Sequence, residues 1–527
     1  MPEPFASSKL ITQAVFDLSL GVFYDVHPKN IPVGGAAGIN NLIWINGYVR
    51  PRPGLSSIFP DVDSNEIVHL SSFVPLIGET SLLRVSKTAS YTMHIHKYTV
   101  ATGWVRITPL AGIANVLSTD GEPPSSVNFN GIWFIAPGDS GLYYYDGTTL
   151  DTVNSLITEP TLRPFDKPKF VTSTESRLFI ANCLDSTSGG TRVPYRLAWS
   201  DKNNAFIWST GGADDGQGSA RFEDLPKASE PITAIYGGPN STVLVFKPTY
   251  VFIGNPVGSP MFFEFLQLIK GPGCISPQTV KEWRNGKVIC LGDDNVYIQT
   301  PGQIPEPIGD RIRPRLSSFS QTINLNKAVG SIDRDNDLYQ LIVPEASGPY
   351  SGNNLRQLWI SLRNGSWWEG VYNLGADYIN CSHEYRTGTW QSIQLLGTKN
   401  GKIYSSTLNS LLDDAAQIPV SWLSGIIQFR ELVGGKTDQA QVQMLRAYAN
   451  TGELYFGLYS GDGFDRFSYT DFGLQTFDGV ATIDTTERVT SENFQVLFYH
   501  SSAASFPITL SGIALGFILQ GNTRGFR

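Results

Sequence analysis

Residues 288–302 read VICLGDDNVYIQTPG. An apolar run, Val288 to Leu291, meets a turn of Gly, Asp and Asn, and a second apolar run then opens on Val296 and Tyr297 before Pro301 and Gly302 stop it. β-Branched and aromatic residues fit a pleated, half-buried strand, while Gly, Asp and Asn tolerate the backbone of a tight turn, so the stretch reads as a β-hairpin. The same pattern recurs as IWFIAPGDSGLYYYDG (132–147), VLVFKPTYVFIGNP (243–256) and IQLLGTKNGKIYSS (393–406). One hairpin signifies little, whereas a spaced series signifies a repeat. Marking the second strand of each unit at Ile95, Tyr143, Phe206, Phe252, Tyr297, Trp359 and Tyr404 gives steps of roughly 45–63 residues, most of them near the ~40–50 of a four-stranded propeller blade. The longer steps coincide with CLDSTSGGTRVPY before Phe206 and PEASGPYSGNNL before Trp359, both read as polar insertions between strands.

Outward from this repeat the texture changes twice. Residues 1–60 carry Pro and Gly too densely for regular elements, as in DVHPKNIPVGGAAGINN, and read as an irregular arm with one short strand at Leu42 to Ile45. Residues 65–420 form the repeat region. Residues 421–527 hold longer alternating strands such as QVQMLRAYANTGELYFGLYSG, expected as a separate C-terminal β-sandwich-like domain. The fold class is therefore all-β: a six- or seven-bladed β-propeller with an irregular N-terminal arm and a C-terminal β-sandwich-like domain.

Composition narrows the function. Charged residues are only 16%, and 52 Gly with 32 Pro stand in their place, which suits a turn-rich β protein. The net charge of −8 weighs against a protein whose main work is gripping nucleic acid, because neutralising phosphates needs Lys and Arg. Cys183, Cys274, Cys290 and Cys381 show neither CxxC pairing nor a nearby His at zinc spacing, and read as buried free thiols. No run approaches eighteen apolar residues and no secretory leader is recognisable, so no membrane span is expected and a reducing cytoplasm suits assembly.

Candidate chemistry fails motif by motif. His94 and His96 share one face of a strand but lack a third metal ligand. Asp333, Asp335 and Asp337 have the opening spacing of a calcium loop, but Leu338 replaces its Gly and Pro344 its clamping Glu, leaving a hairpin turn. The pairs Asp214/Asp215, Asp293/Asp294 and Asp413/Asp414 invite a glycosidase reading, yet each falls in a predicted turn and is read as solvated. No catalytic residue, cofactor or metal site is assigned, and the chain is read as non-enzymatic. The arginines Arg50 and Arg52 in RPRPG and Arg311, Arg313 and Arg315 in RIRPR form the strongest basic cluster. They are read as ion-pair partners within the chain or across a subunit contact, with phosphate as the lesser alternative.

Several segments resemble a known family. NNLIWINGYVRPRPGL (40–55) runs from Asn and an apolar stretch into an Arg-Pro-Gly turn. RLFIANCLDSTSGGTRVPYRLAWSDKNNAFIW (177–208) joins an RLF strand to a strand ending in Trp-Ser and an acidic turn. PITAIYGG onward to residue 280 includes Gly271, Gly273 and Cys274 in a Gly-x-Gly-Cys turn, and GKVICLGDDNVYIQTPGQIPEPIGDRI follows it. Over roughly residues 170–315 these are similar to the β-propeller tail proteins of short-tailed bacteriophages, variously called tail nozzle, tail tubular protein B-like or packaged-DNA stabilisation protein. The resemblance implies a structural virion protein: a homohexameric nozzle at the end of the tail, assembled in the host cytoplasm. Such a nozzle docks on a head–tail adaptor or portal, neighbours tail fibre or spike proteins, and touches viral DNA only in passing during ejection. Two other readings stay open: a receptor- or glycan-binding propeller of a trimeric tail fibre, and a propeller glycosidase with two carboxylates facing a central pocket.

Overall fold

The computed structural model describes residues 11–108, 123–153, 166–185, 190–208, 221–226, 229–259, 261–270, 272–320, 325–344, 354–386, 392–407, 410–428, 440–461, 468–491, 493–501 and 510–519. Within them the 288–299 stretch folds as its pattern predicts. Val288–Leu291 pairs antiparallel with Val296–Gln299, and the Gly292 amide donates to the Asn295 carbonyl at 2.8 Å to close the turn. Both strands are largely buried, which explains their apolar character on both faces. Each of the four matching hairpins occupies the second and third positions of a blade; three of these sheets have four antiparallel strands, and the sheet of 393–406 is extended to six by the short strands Leu412–Asp413 and Ala416–Gln417.

Seven such units follow one another along the chain, so the propeller has seven blades. Blade 1 comprises Glu66–Phe73, Ser81–Lys87, Met93–Thr99 and Gly103–Ile107. Blades 2 to 6 span residues 125–152, 170–224, 234–270, 281–307 and 329–371. Blade 7 takes Ile379–Arg386, Ser392–Thr398 and Ile403–Thr407 from its own segment and its fourth strand, Gly54–Ser57, from the N-terminal region. Apolar side chains fill every seam between neighbouring blades, and in the last seam Ile67, Leu70 and Leu82 of blade 1 meet Cys381, Leu395 and Ile403 of blade 7. The ring is therefore closed, and no blade is left with an unpaired inner face. Leu55, fully buried in the borrowed strand, packs against blades 6 and 7. Leu55→Ala is expected to cost about 2–3 kcal/mol through the cavity it leaves, read as a shift in the urea midpoint.

Six of the seven sequence marks fall on the third strand of a blade; Phe206 does not. The third strand of blade 3 is Thr191–Trp199, and Phe206 lies beyond it, packed against Phe134 and Tyr144 of blade 2. Both ends of the CLDSTSGGTRVPY segment are strand rather than insertion, since Cys183 pairs with Val193 and Asp185 with Thr191, while its residues 186–189 lie outside the described residues. The second proposed insertion joins two paired strands of blade 6, and its residues 345–353 lie outside the described residues.

The N-terminal region is also not an irregular arm. Ile11–Phe16, Ala36–Asn40, Leu42–Ile45 and Tyr48–Pro51 all enter a ten-stranded sheet with Val420–Ser424 and the C-terminal strands. The region expected as a separate C-terminal domain thus shares its sheet with the first fifty residues. Pro and Gly density misled the reading because these strands are short and bulged; the register slips between Ala36 and Gly38. Trp422, Phe456, Phe494 and Phe498 of this sheet join one apolar core with Trp367, Trp368 and Tyr339 of blade 6, so the two bodies pack directly. Gly273 of the Gly-x-Gly-Cys turn has a clear steric role, since a Cβ there would stand 1.7 Å from the Lys247 carbonyl oxygen; Gly271 lies outside the described residues.

Candidate functional site

The five arginines singled out by sequence fall in three places. Arg52 is buried at 1% exposure and pairs with Asp413, its NH1 donating to Oδ1 at 2.9 Å. It is thereby removed from any surface role. Arg50 is half-buried on Tyr48–Pro51, where desolvation lowers its pKa. Arg311 donates to the Leu20 carbonyl at 2.8 Å with its guanidinium over the Phe23 ring, and Arg315 pairs with Glu369 at 2.8 Å. These two clamp the N-terminal segment to blade 6. Arg313, on the helix Arg313–Ser320, pairs with Asp294 at 2.7 Å and keeps 57% of its side chain exposed, which leaves it the most accessible of the RIRPR cations.

The other sequence candidates resolve into structural roles. His94 and His96 lie on Met93–Thr99 with ring centroids 6.4 Å apart; His96 is buried and its pKa is pushed down to about 4 by desolvation and then by Arg84. Among the described residues no group of three or more His, Cys, Asp or Glu could hold a metal ion. Asp333 accepts from the amides of Asp335 and Asn336 at 3.1 Å each, and Asp337 takes a left-handed φ of 53° and pairs with Arg284 and Arg363, so DRDND is a hairpin turn. Asp293 and Asp294 form another turn. Asp413 departs from its expectation: it is fully buried rather than solvated, because Arg52 neutralises it. Asp214 and Asp215 lie outside the described residues. All four cysteines are buried free thiols.

A polar site that the sequence reading missed lies on the propeller axis. The first strands of adjacent blades approach one another there and exchange hydrogen bonds, such as Ser125 Oγ to the Val171 carbonyl at 3.0 Å. Where blades 5, 6 and 7 converge is a cavity of about 280 Å³, bounded by Lys281 and Glu282, by Ser331 and Arg334, and by His383 and Glu384. Arg334 bridges the carboxylates, at 3.7 Å from Glu282 and 2.9 Å from Glu384, while Arg386 stands 3.7 Å from Glu384. Lys281 Nζ donates to the Ser382 carbonyl at a long 3.5 Å. Burial holds its pKa down to about 8, against the opposing pull of Cys381 and Glu384.

Two histidines complete the axial cluster. His383 Nε2 meets Ser72 Oγ at 2.7 Å, and His69 Nε2 meets Ser126 Oγ at 2.7 Å. Ser126 donates its own proton to Ser71 at 3.1 Å, so His69 is the donor in its bond. Burial, with Lys281 adding to it, drives both imidazole pKa values down to about 3. A faint signal existed in the sequence: KEW, DRD and SHEY interrupt apolar text shortly before the second strands of their blades, where residues nearest the axis must lie.

The ten-stranded sheet carries the second candidate site. Its spine is Ala440–Gly461, 22 residues long, paired along one side with the 24-residue Ser468–Ser491. The other side is shared by Asn493–His500 and Leu510–Leu519. Among the described residues Ser468–Ser491 has no second neighbour, so its outer backbone edge is open.

No protein-family model matches the chain, and no curated protein matches it in sequence. Solved structures with similar form include virginiamycin B lyase from Staphylococcus aureus (TM-score 0.42, 10% identity, covering 67% of this chain and 99% of that one). YCF48 bound to D1 peptide gives a TM-score of 0.39 at 9% identity over 68% of this chain and 98% of that chain. A fungal alcohol oxidase in complex with copper gives 0.41 at 10% identity, covering 89% and 100%. The seven-bladed propeller itself rests on the strand pairing described above.

Proposed function

We propose that this chain is a structural virion subunit, a homohexameric tail nozzle of a short-tailed phage that docks on a head–tail adaptor or portal and forms the conduit for DNA ejection. The observation that carries the reading is the open edge of Ser468–Ser491. At about 3.3 Å per residue it extends roughly 80 Å, and a strand edge of that length is a template for another chain. Head-to-tail pairing of identical copies closes a ring when the rotation permits, which is the geometry of a tube wall. Three further features support it: the resemblance over residues 170–315, the closed propeller, and a net charge of −8 that would let DNA pass without being held.

Native mass spectrometry and electron-microscopy class averages of the purified chain test this reading. A sixfold ring with a central hole is the expected result, and a stable trimer or monomer would sink it. Leu474, 43% exposed on the open strand, supplies a sharper test. Lys on an edge strand opposes pairing with a neighbour, so Leu474→Lys is expected to weaken hexamer formation at least about tenfold while changing monomer stability by no more than about 0.5 kcal/mol.

One observation favours a second reading. A glycan-cleaving propeller requires two carboxylates facing a central pocket, and Glu282 and Glu384 do face one. Arg334 contacts both, however, so a scissile bond would have to displace that guanidinium. Turnover of chromogenic glycosides that disappears in Glu384→Gln would promote this alternative over the nozzle.

A further inference from the structure

We propose that the axial cavity between blades 5, 6 and 7 binds a small hydroxy acid carrying one negative charge, with its carboxylate on Lys281 and Arg334 and its hydroxyls on Ser331, Ser382 and Glu384. The inference is independent of the assembly reading and would survive its failure.

Lys281 and Arg334 line the cavity with Glu282 and Glu384, but the four charges are not evenly paired. Arg334 contacts both carboxylates, Arg386 from outside the lining also reaches Glu384, and Ser392 donates to Glu384 at 2.6 Å, so the charge that stands apart from this network is that of Lys281. Among the described residues Lys281 makes one long hydrogen bond, to a backbone carbonyl, although an ammonium carries three donors. A half-buried cation with so little compensation favours an anion beside it. The Arg334 guanidinium lines the same cavity, so the two cations stand beside the space that one carboxylate would fill.

The rest of the lining accepts rather than donates. Ser331 gives its hydroxyl proton to Gln394 and Ser382 gives its own to the Gly330 carbonyl, so their remaining lone pairs are acceptors, as are the glutamate oxygens. Hydroxyl groups on the ligand would donate to them. The same glutamates oppose a second negative charge, which disfavours a phosphate dianion. A volume of about 280 Å³ lies at the small end of the ~300–1,000 Å³ of ligand pockets, room for a molecule of one sugar ring.

The affinity should follow the charge of Lys281. Facing it are Glu282 on its own strand, Arg334 from blade 6, Cys381, His383 and Glu384 from blade 7, and His69 from blade 1. With both histidines neutral well below pH 7, Lys281 is the group that changes charge as pH rises through about 8. Binding of an anion is strongest below that value and falls above it.

Isothermal titration calorimetry of the full chain with D-glucuronate, D-glucose and inorganic phosphate tests the proposal. Glucuronate is expected to bind at pH 7 at least about tenfold more tightly than glucose or phosphate, to lose about tenfold in affinity between pH 7 and pH 9, and to lose about tenfold or more in Lys281→Gln. If that variant does not fold, the pH series on the unaltered chain decides alone. No binding of glucuronate, equal binding of glucose, tighter binding of phosphate, or an affinity that is flat from pH 7 to 9 would each overturn it.

Discussion

Asp413→Ala is expected to lower the stability of the chain by about 3–5 kcal/mol, measured as the shift in urea-unfolding midpoint at constant slope. The cost comes from what the substitution leaves behind. Arg52 is enclosed by the chain: its Nε donates to Asn41 Oδ1 at 2.8 Å, its NH1 to the Pro53 carbonyl at 2.8 Å, and its NH2 to the Val371 carbonyl at 2.7 Å. Its guanidinium also lies 4.7 Å from the centre of the Tyr372 ring. None of those partners carries charge, so without Asp413 a guanidinium stays buried with its charge uncompensated. The Asn373 amide, which donates to Asp413 Oδ2 at 2.8 Å, would lose its acceptor as well. The pair joins the N-terminal strands, the edge of blade 6 and the segment after blade 7, so the damage should spread to ring closure. Replacing both members, as Arg52→Met with Asp413→Leu, is expected to cost less than Asp413→Ala alone, because two desolvated charges leave together. A double variant less stable than the single one would contradict the account.

Acid should destabilise the propeller well above the range in which most carboxylates titrate. His69 and His383 have folded pKa values near 3, below the ~6.5 of an unfolded imidazole, so the unfolded chain binds more protons as pH falls. The stability associated with keeping both neutral is fully present above about pH 6.5 and is lost progressively as pH drops toward 3. Each imidazole contributes up to about 1.4 kcal/mol per pH unit in that window, discounted because both residues are only partly buried. The pair together should remove roughly 2–4 kcal/mol between pH 7 and pH 5. His96, held down to about 4, acts with the same sign. Urea midpoints measured from pH 7.5 to 4.5 read the slope directly. His69→Gln with His383→Gln should flatten it, and an unchanged slope in that variant would assign the acid sensitivity elsewhere.

Much of the propeller could be read locally. Strand and turn in VICLGDDNVYIQ follow from residue types within a dozen positions, and the repeat follows from their recurrence. The reading failed at Phe206 because an aromatic in a loop that packs on the neighbouring blade looks, in one dimension, like an aromatic on a strand. It failed at residues 11–51 because short, bulged strands full of Pro and Gly gain their order from pairing with Leu510–Leu519 and Val420–Ser424. The axial site was nearly invisible for a related reason: Lys281, Arg334 and Glu384 each belong to a different blade and become neighbours only when the ring closes.

The sequence by itself determined the all-β class and the hairpin repeat, because alternation and turn chemistry act over a few residues. It also determined that the thiols lacked motif partners. The tertiary structure alone decided that there are seven blades, that Gly54–Ser57 completes the last of them, and that Arg52 serves Asp413 from 361 residues away. It alone formed the cavity and left the long strand's edge without a second neighbour among the described residues. These features depend on which distant surfaces meet, and a residue's identity records the kind of neighbour it tolerates without recording which neighbour arrives.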